Sequence, residues 1–151
     1  MTQQTIEIIE AGLSAASRES TGFLESGAGP ADVATMVARL DGREYDQLYL
    51  QLAHEGESFE AVMQGGIDST AMFFVIQESE TYYVRIHPER LDVEEDAQTT
   101  ITSGGSRIDV LVRWLVPIDM AARALWFLLL TGERDPGLGW EALSEVRVPG
   151  R

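Results

Sequence analysis

Between residues 48 and 86 the sequence switches between apolar and polar at every second position, and the gaps between its runs hold only turn residues. Leu48, Leu50 and Leu52 alternate with Gln47, Tyr49 and Gln51; Phe59, Ala61 and Met63 alternate with Glu60, Val62 and Gln64. Two further runs come next, 71-AMFFVIQ-77, apolar on both faces, and 82-YYVRI-86. A period of two is that of a strand with one face buried. The connections 53-AHEGE-57, 65-GGIDS-69 and 78-ESET-81 are short and polar. Parallel neighbours need a crossover of about a dozen residues or more, so these four strands must run antiparallel, as a meander.

The remaining elements are set around that meander. Pro30 suits the first turn of a helix, Val33, Met36, Val37 and Leu40 share one helical face, and Gly42 stops it, which predicts an amphipathic helix over 30–41. A fifth strand is predicted over 107–116, with Ile108, Val110, Val112, Trp114 and Val116 on one face. Pro117 ends it and opens a helix over 118–132, apolar nearly all round and therefore expected to be buried on several sides across the sheet. Residues 1–28 are poorly defined: Ile6, Ile9 and Leu13 have helical spacing, whereas Ile6 and Ile8 suit a strand. Residues 87–105 read as an acidic, hydroxyl-rich passage and 133–151 as a mostly irregular tail. The expected fold is thus α+β, an antiparallel sheet of about five strands packed against an N-terminal amphipathic helix and an apolar C-terminal helix. One domain is expected over 1–151.

Charge narrows the function. Twenty-five acids oppose eleven basic residues, a net charge of −14. Direct binding to nucleic acid or to an anionic membrane is disfavoured, since both rely on cationic contacts. A basic protein partner is favoured, because complementary fields speed encounter and set specificity. Every basic residue is arginine, which excludes a Schiff-base or phosphate-loop lysine, and the absence of cysteine excludes thiolate catalysis and cysteine-held zinc. No 18-residue apolar run and no basic-then-apolar leader is present, so a cytoplasmic location is expected.

Within the chain, 63-MQGGIDSTAM-72 resembles the Ser-Gly-Gly-x-Asp-Ser loop of ATP pyrophosphatases of the PP-loop class. That loop must leave a parallel strand and open a helix, so that backbone N–H groups face the phosphates. Here Gln64 stands at the serine position and the run after Thr70 is rich in strand formers, so a hairpin is expected, with Asp68 and Ser69 as turn residues. His54 and His87 sit at predicted strand edges with no partner set around them, and no HExxH, GxSxG, GxGxxG or Walker pattern occurs. No catalytic residue, cofactor or metal site is expected. The run 89-ERLDVEED-96 holds five acids in eight residues: a solvated loop, or a phosphate-mimicking patch that enters a basic cleft.

The second of those readings is favoured by a resemblance. Leu40-Asp41-Gly42, the pairs Gly65-Gly66 and Gly104-Gly105, and above all 131-TGERDPGLGWE-141, with Gly132, Asp135, Pro136, Trp140 and Glu141, together resemble the first Imm family of immunity proteins from bacterial polymorphic toxin systems. The similarity runs over about residues 30–141; Ser106 departs from it, standing where a glutamine follows the glycine pair. The resemblance implies an α+β immunity protein with no catalysis of its own. It would bind a cognate toxin domain, often a nucleic-acid deaminase, and neutralise it by occlusion. The expected contacts are Glu78, Glu80, Asp92, Glu94, Glu95 and Asp96, with Tyr82 or Tyr83 as the aromatic anchor. Trp140 and Glu141 are expected to stabilise the tail rather than touch the toxin. An acidic adaptor or chaperone for a secreted effector shares the same bulk traits and is the alternative.

Overall fold

In the computed structural model, which describes residues 6–16 and 22–146, the apolar alternation becomes the centre of a large antiparallel sheet. The strands are β1 (Glu7–Ala15), β2 (Phe23–Ser26), β3 (Tyr45–His54), β4 (Glu57–Gly65), β5 (Thr70–Gln77), β6 (Glu80–Arg85), β7 (Gln98–Ser103), β8 (Ser106–Leu111), β9 (Val116–Pro117) and β10 (Gly139–Ala142). The helices are α1 (Pro30–Arg39) and α2 (Ile118–Thr131). The main sheet runs β10-β6-β5-β4-β3-β1-β2, with β9 paired to β5. The predicted meander is its middle, β3 to β6, each strand antiparallel to the next.

The two faces of this sheet carry different layers. Leu48, Leu50 and Leu52 of β3, Phe59, Ala61 and Met63 of β4, and Phe73 and Val75 of β5 join Val33 and Met36 of α1 and Ala121, Ala124, Leu125 and Leu128 of α2 in one buried cluster. On the opposite face Met72 packs with Val110, Leu111 and Trp114, and Phe74 and Tyr83 lean on them. β5 is apolar on both faces because it is covered on both, by a helix and by the β7–β8 hairpin.

Four features depart from the sequence-based expectation. The main sheet has eight strands, not about five. The predicted strand 107–116 is not its fifth member: residues 106–111 pair with β7 in a separate two-stranded sheet. That run is then broken by a single 3-10 turn, Val112–Trp114, and Val116 returns to pair with Ala71 of β5. The tail is also not irregular, since β10 adds itself to the edge of β6. Finally, α2 is buried along one side only; Leu130 on its outer side is 80% exposed.

Two polar contacts attach the hairpin. The β1–β3 register slips between Ser14 and Ala15, so that Asp46 is the extra residue of a bulge. Its carboxylate, fully buried, accepts hydrogen bonds from the N–H groups of Gly104 (2.7 Å) and Gly105 (3.0 Å) at the β7–β8 turn. Beside it, the Gln64 amide donates to Gln47 and to Ser103, and the Ser103 hydroxyl donates to Gln47.

The glycine pair at 65–66 has a packing role. Gly66, at φ +104°, lies so close to the turn after α1 that a Cβ would meet the Leu40 carbonyl oxygen at 2.6 Å and the Gly42 nitrogen at 2.9 Å. Its own N–H donates to the Thr70 carbonyl, which closes the loop as a hairpin. The loop passes through a single 3-10 turn, Ile67–Ser69, and enters the strand β5, so it opens no α-helix toward a phosphate.

Candidate functional site

At one end of the sheet two tight turns lie side by side. Glu55 and Gly56 join β3 to β4, and Glu78 and Ser79 join β5 to β6, all four with positive φ. That conformation matches the right-handed twist of paired strands and keeps each connection to two residues. Acids therefore crowd the rim: Glu55 and Glu57 on one tip, Glu78 and Glu80 on the other. On the helix side α2 ends above them, and Glu133 and Arg134 come directly after it. The result is a cleft of about 460 Å³ between Glu57 and Glu78, lined by Phe59, Gln77 and Tyr82 and walled by Arg134. Beyond Arg134 lies a second cavity of about 430 Å³, bounded by Gly132, Pro136 and Trp140.

The wall is the 131–141 segment, and its local chemistry explains its shape. Gly132 caps α2 in the left-handed conformation, φ +78°, with its N–H on the Leu128 carbonyl, and a Cβ there would overlap the His54 ring. Asp135 is buried; one carboxylate oxygen accepts the Gly137 N–H at 2.8 Å and the other accepts Arg123 Nε at 2.9 Å. The Trp140 indole N–H donates to the Asp135 carbonyl at 2.8 Å, and its ring meets Phe73 edge-on at 6.2 Å. One residue later Glu141 points through the other face of the sheet. Arg113, itself buried, holds it with two hydrogen bonds, Nε at 2.8 Å and Nη2 at 2.9 Å, and Trp114 Nε1 adds a third at 2.8 Å. Arg113 also donates to the Glu95 carbonyl. Burial alone would raise the Glu141 pKa, but the bonds from Arg113 and Trp114 and the charges of Arg113 and Arg85 outweigh it and hold the carboxyl below its ordinary value.

Arg134 differs from these arginines. Its guanidinium sits 3.7 Å from the centroid of the Tyr82 ring and 5.8 Å from that of Trp140. Among the described residues no carboxylate lies within ion-pair distance of it, in contrast to Arg85, Arg113 and Arg123. A cation–π contact holds the charge without consuming an N–H donor, and the residue lines both cavities.

The residues singled out in the sequence separate into three places. Glu78 and Tyr82 line the cleft. Glu80 sits at its margin, where its carboxylate accepts the Ser144 and Thr81 N–H groups; the Ser144 bonds keep its pKa below the usual value. Tyr83 points to the opposite face, stacked on Trp114 with centroids 3.8 Å apart. It belongs to the second core. Asp92, Glu94, Glu95 and Asp96 lie beyond the far end of β6, about 20 Å from Glu78 along the strand. All four are exposed, and of these Glu95 is tied to Arg85 at 2.8 Å. The eight expected contacts are thus not one surface. Glu57, Arg113, Arg134 and Asp46 are absent from the sequence-based set. Only the first is an acid beside a turn of the kind that marks Glu78.

His54 packs on Gly132 with its Nε2 4.0 Å from Glu55 Oε1, and His87 Nδ1 accepts the Glu89 N–H. Among the described residues no group of three or more His, Asp or Glu side chains is placed to hold a metal ion, and no helix is long and apolar enough to cross a membrane. No protein-family model, curated protein or solved structure matches the chain.

Proposed function

We propose that this chain is an immunity-type protein that binds a basic toxin domain stoichiometrically and occludes its substrate cleft, without catalysis of its own. The resemblance of 131-TGERDPGLGWE-141 to the first Imm family suggests a toxin that acts on nucleic acid, with deamination as its chemistry. The observation that carries the reading is a convergence. The motif segment and the acidic hairpin tips, far apart in sequence, wall the same cleft around Tyr82. A rim of carboxylates steers a cationic partner inward, and a half-buried aromatic beneath it supplies the desolvated contact that area alone does not.

Coexpression with a toxin domain found encoded next to this gene tests the proposal. Cells should survive, and the two proteins should co-purify in fixed stoichiometry. Death of the cells with no complex would overturn it. A complex that leaves the toxin active would point instead to an adaptor or chaperone for the exported protein, a role to which the exposed apolar side of α2 is suited.

A further inference from the structure

We infer that Arg134 is a preset anchor for one carboxylate of the protein partner, enclosed by an acidic rim that admits this carboxylate only when basic residues flank it. The inference rests on the partner-binding reading above and names what the partner must present. Its basis is a mismatch: in a chain of net charge −14, the side chain that walls the acidic cleft is a cation without a counter-charge among the described residues. The Tyr82 ring holds its guanidinium at 3.7 Å, and Trp140 stands further off at 5.8 Å. Arginine held this way loses little further freedom on binding, and its fork of donors matches a carboxylate with two parallel hydrogen bonds.

The rim decides what is allowed in. Glu57 and Glu78 line the same cleft as Arg134, and Glu133 lines the adjoining cavity with it. A free anion meets net repulsion there. An aspartate or glutamate carried between lysines or arginines meets complementary charge at every position: base against acid around the edge, acid against Arg134 at the centre. Such alternation discriminates between basic partners, since a uniformly cationic surface leaves Arg134 buried against like charge.

The test uses the isolated full chain, ¹⁵N-labelled, and three acetylated, amidated peptides: Gly-Lys-Asp-Lys-Gly, its Asn counterpart and Gly-Ala-Asp-Ala-Gly. The Lys-Asp-Lys peptide should shift the Arg134 Nε–H and Trp140 indole signals saturably. The Asn and Ala-flanked peptides should bind about tenfold more weakly or worse, as loss of one charge-assisted contact implies. Arg134→Gln should abolish the shift, and Glu57→Gln with Glu78→Gln should remove the preference for flanking lysines. No shift, an equal response to the Asn peptide, or an undiminished response in Arg134→Gln would overturn the inference. With the adjacent toxin domain as probe, Arg134→Gln should weaken binding about 30-fold, the loss expected of a central arginine. Binding by the wild type with an unchanged Arg134→Gln variant would overturn the anchor alone. Failure of the wild type to bind would overturn the immunity reading, and the peptides would still decide the anchor.

Discussion

Gly132 carries two demands at once, since it ends α2 at φ +78° and leaves room for the His54 ring. Gly132→Ala should therefore cost about 1–2 kcal/mol from backbone strain alone, and Tm should fall by about 2–8 °C. Pairing it with His54→Ala should recover the packing share but not the strain, which a double-mutant cycle by calorimetry would separate. Glu141 makes a second case. Its folded pKa lies below the ordinary 4.5, so the unfolded chain takes up its proton first as pH falls. The stability from the Arg113–Glu141 contact is complete above about pH 5 and is lost as pH drops through 4.5 and below. Urea midpoints should show Glu141→Gln less stable than wild type at about pH 7, with the gap narrowing by about pH 4. A gap that is constant with pH would mean that shape rather than charge holds the tail.

Among the elements, the β7–β8 hairpin depends most on a single side chain. Asp46→Asn keeps the volume but turns an amide N–H₂ toward one of two glycine N–H donors, so we expect a loss of about 1–3 kcal/mol. Hydrogen exchange should quicken at residues 98–111 while β3, β4 and β5 stay protected; uniform change across the sheet would contradict a local fastening. This hairpin is also where the sequence was least informative. β7 alternates hydroxyls and glutamine around Ile101, so its pattern resembles a polar loop. The ambiguity near the N-terminus has a physical cause as well. A bulge between Ile8 and Glu10 in β1 inserts one residue, so the core-facing Ile8 and Ala11 stand three apart. That spacing mimics a helix. By contrast β3 to β6 and both helices were legible because each keeps one period and ends in turn chemistry. The run 107–116 kept its period too, yet it crosses from one core to the other, which no periodicity records.

For the whole molecule, the proposed function makes charge the governor of the encounter. Association with a basic partner should slow about tenfold or more as ionic strength rises from about 0.02 to 0.5 M, with dissociation much less affected. Stopped-flow measurement would settle this, and a flat association rate would rule out steering. The candidate site was half legible at this scale. Glu78 and Tyr82 could be named because they flank a readable turn. Arg134 could not, because its place depends on the segment after α2 returning over β6, a contact between positions some fifty residues apart in sequence. That long return also sets an order of events during synthesis. Until residues 139–142 have left the ribosome, β6 lacks its outer neighbour, and both Trp140 and Glu141 are missing from their places. A nascent chain can form the β3–β6 hairpins early, but the cleft closes last. Shortened products ending before Trp140 would thus present acids without the fixed arginine, so that the proposed capture is left to chains that include β10.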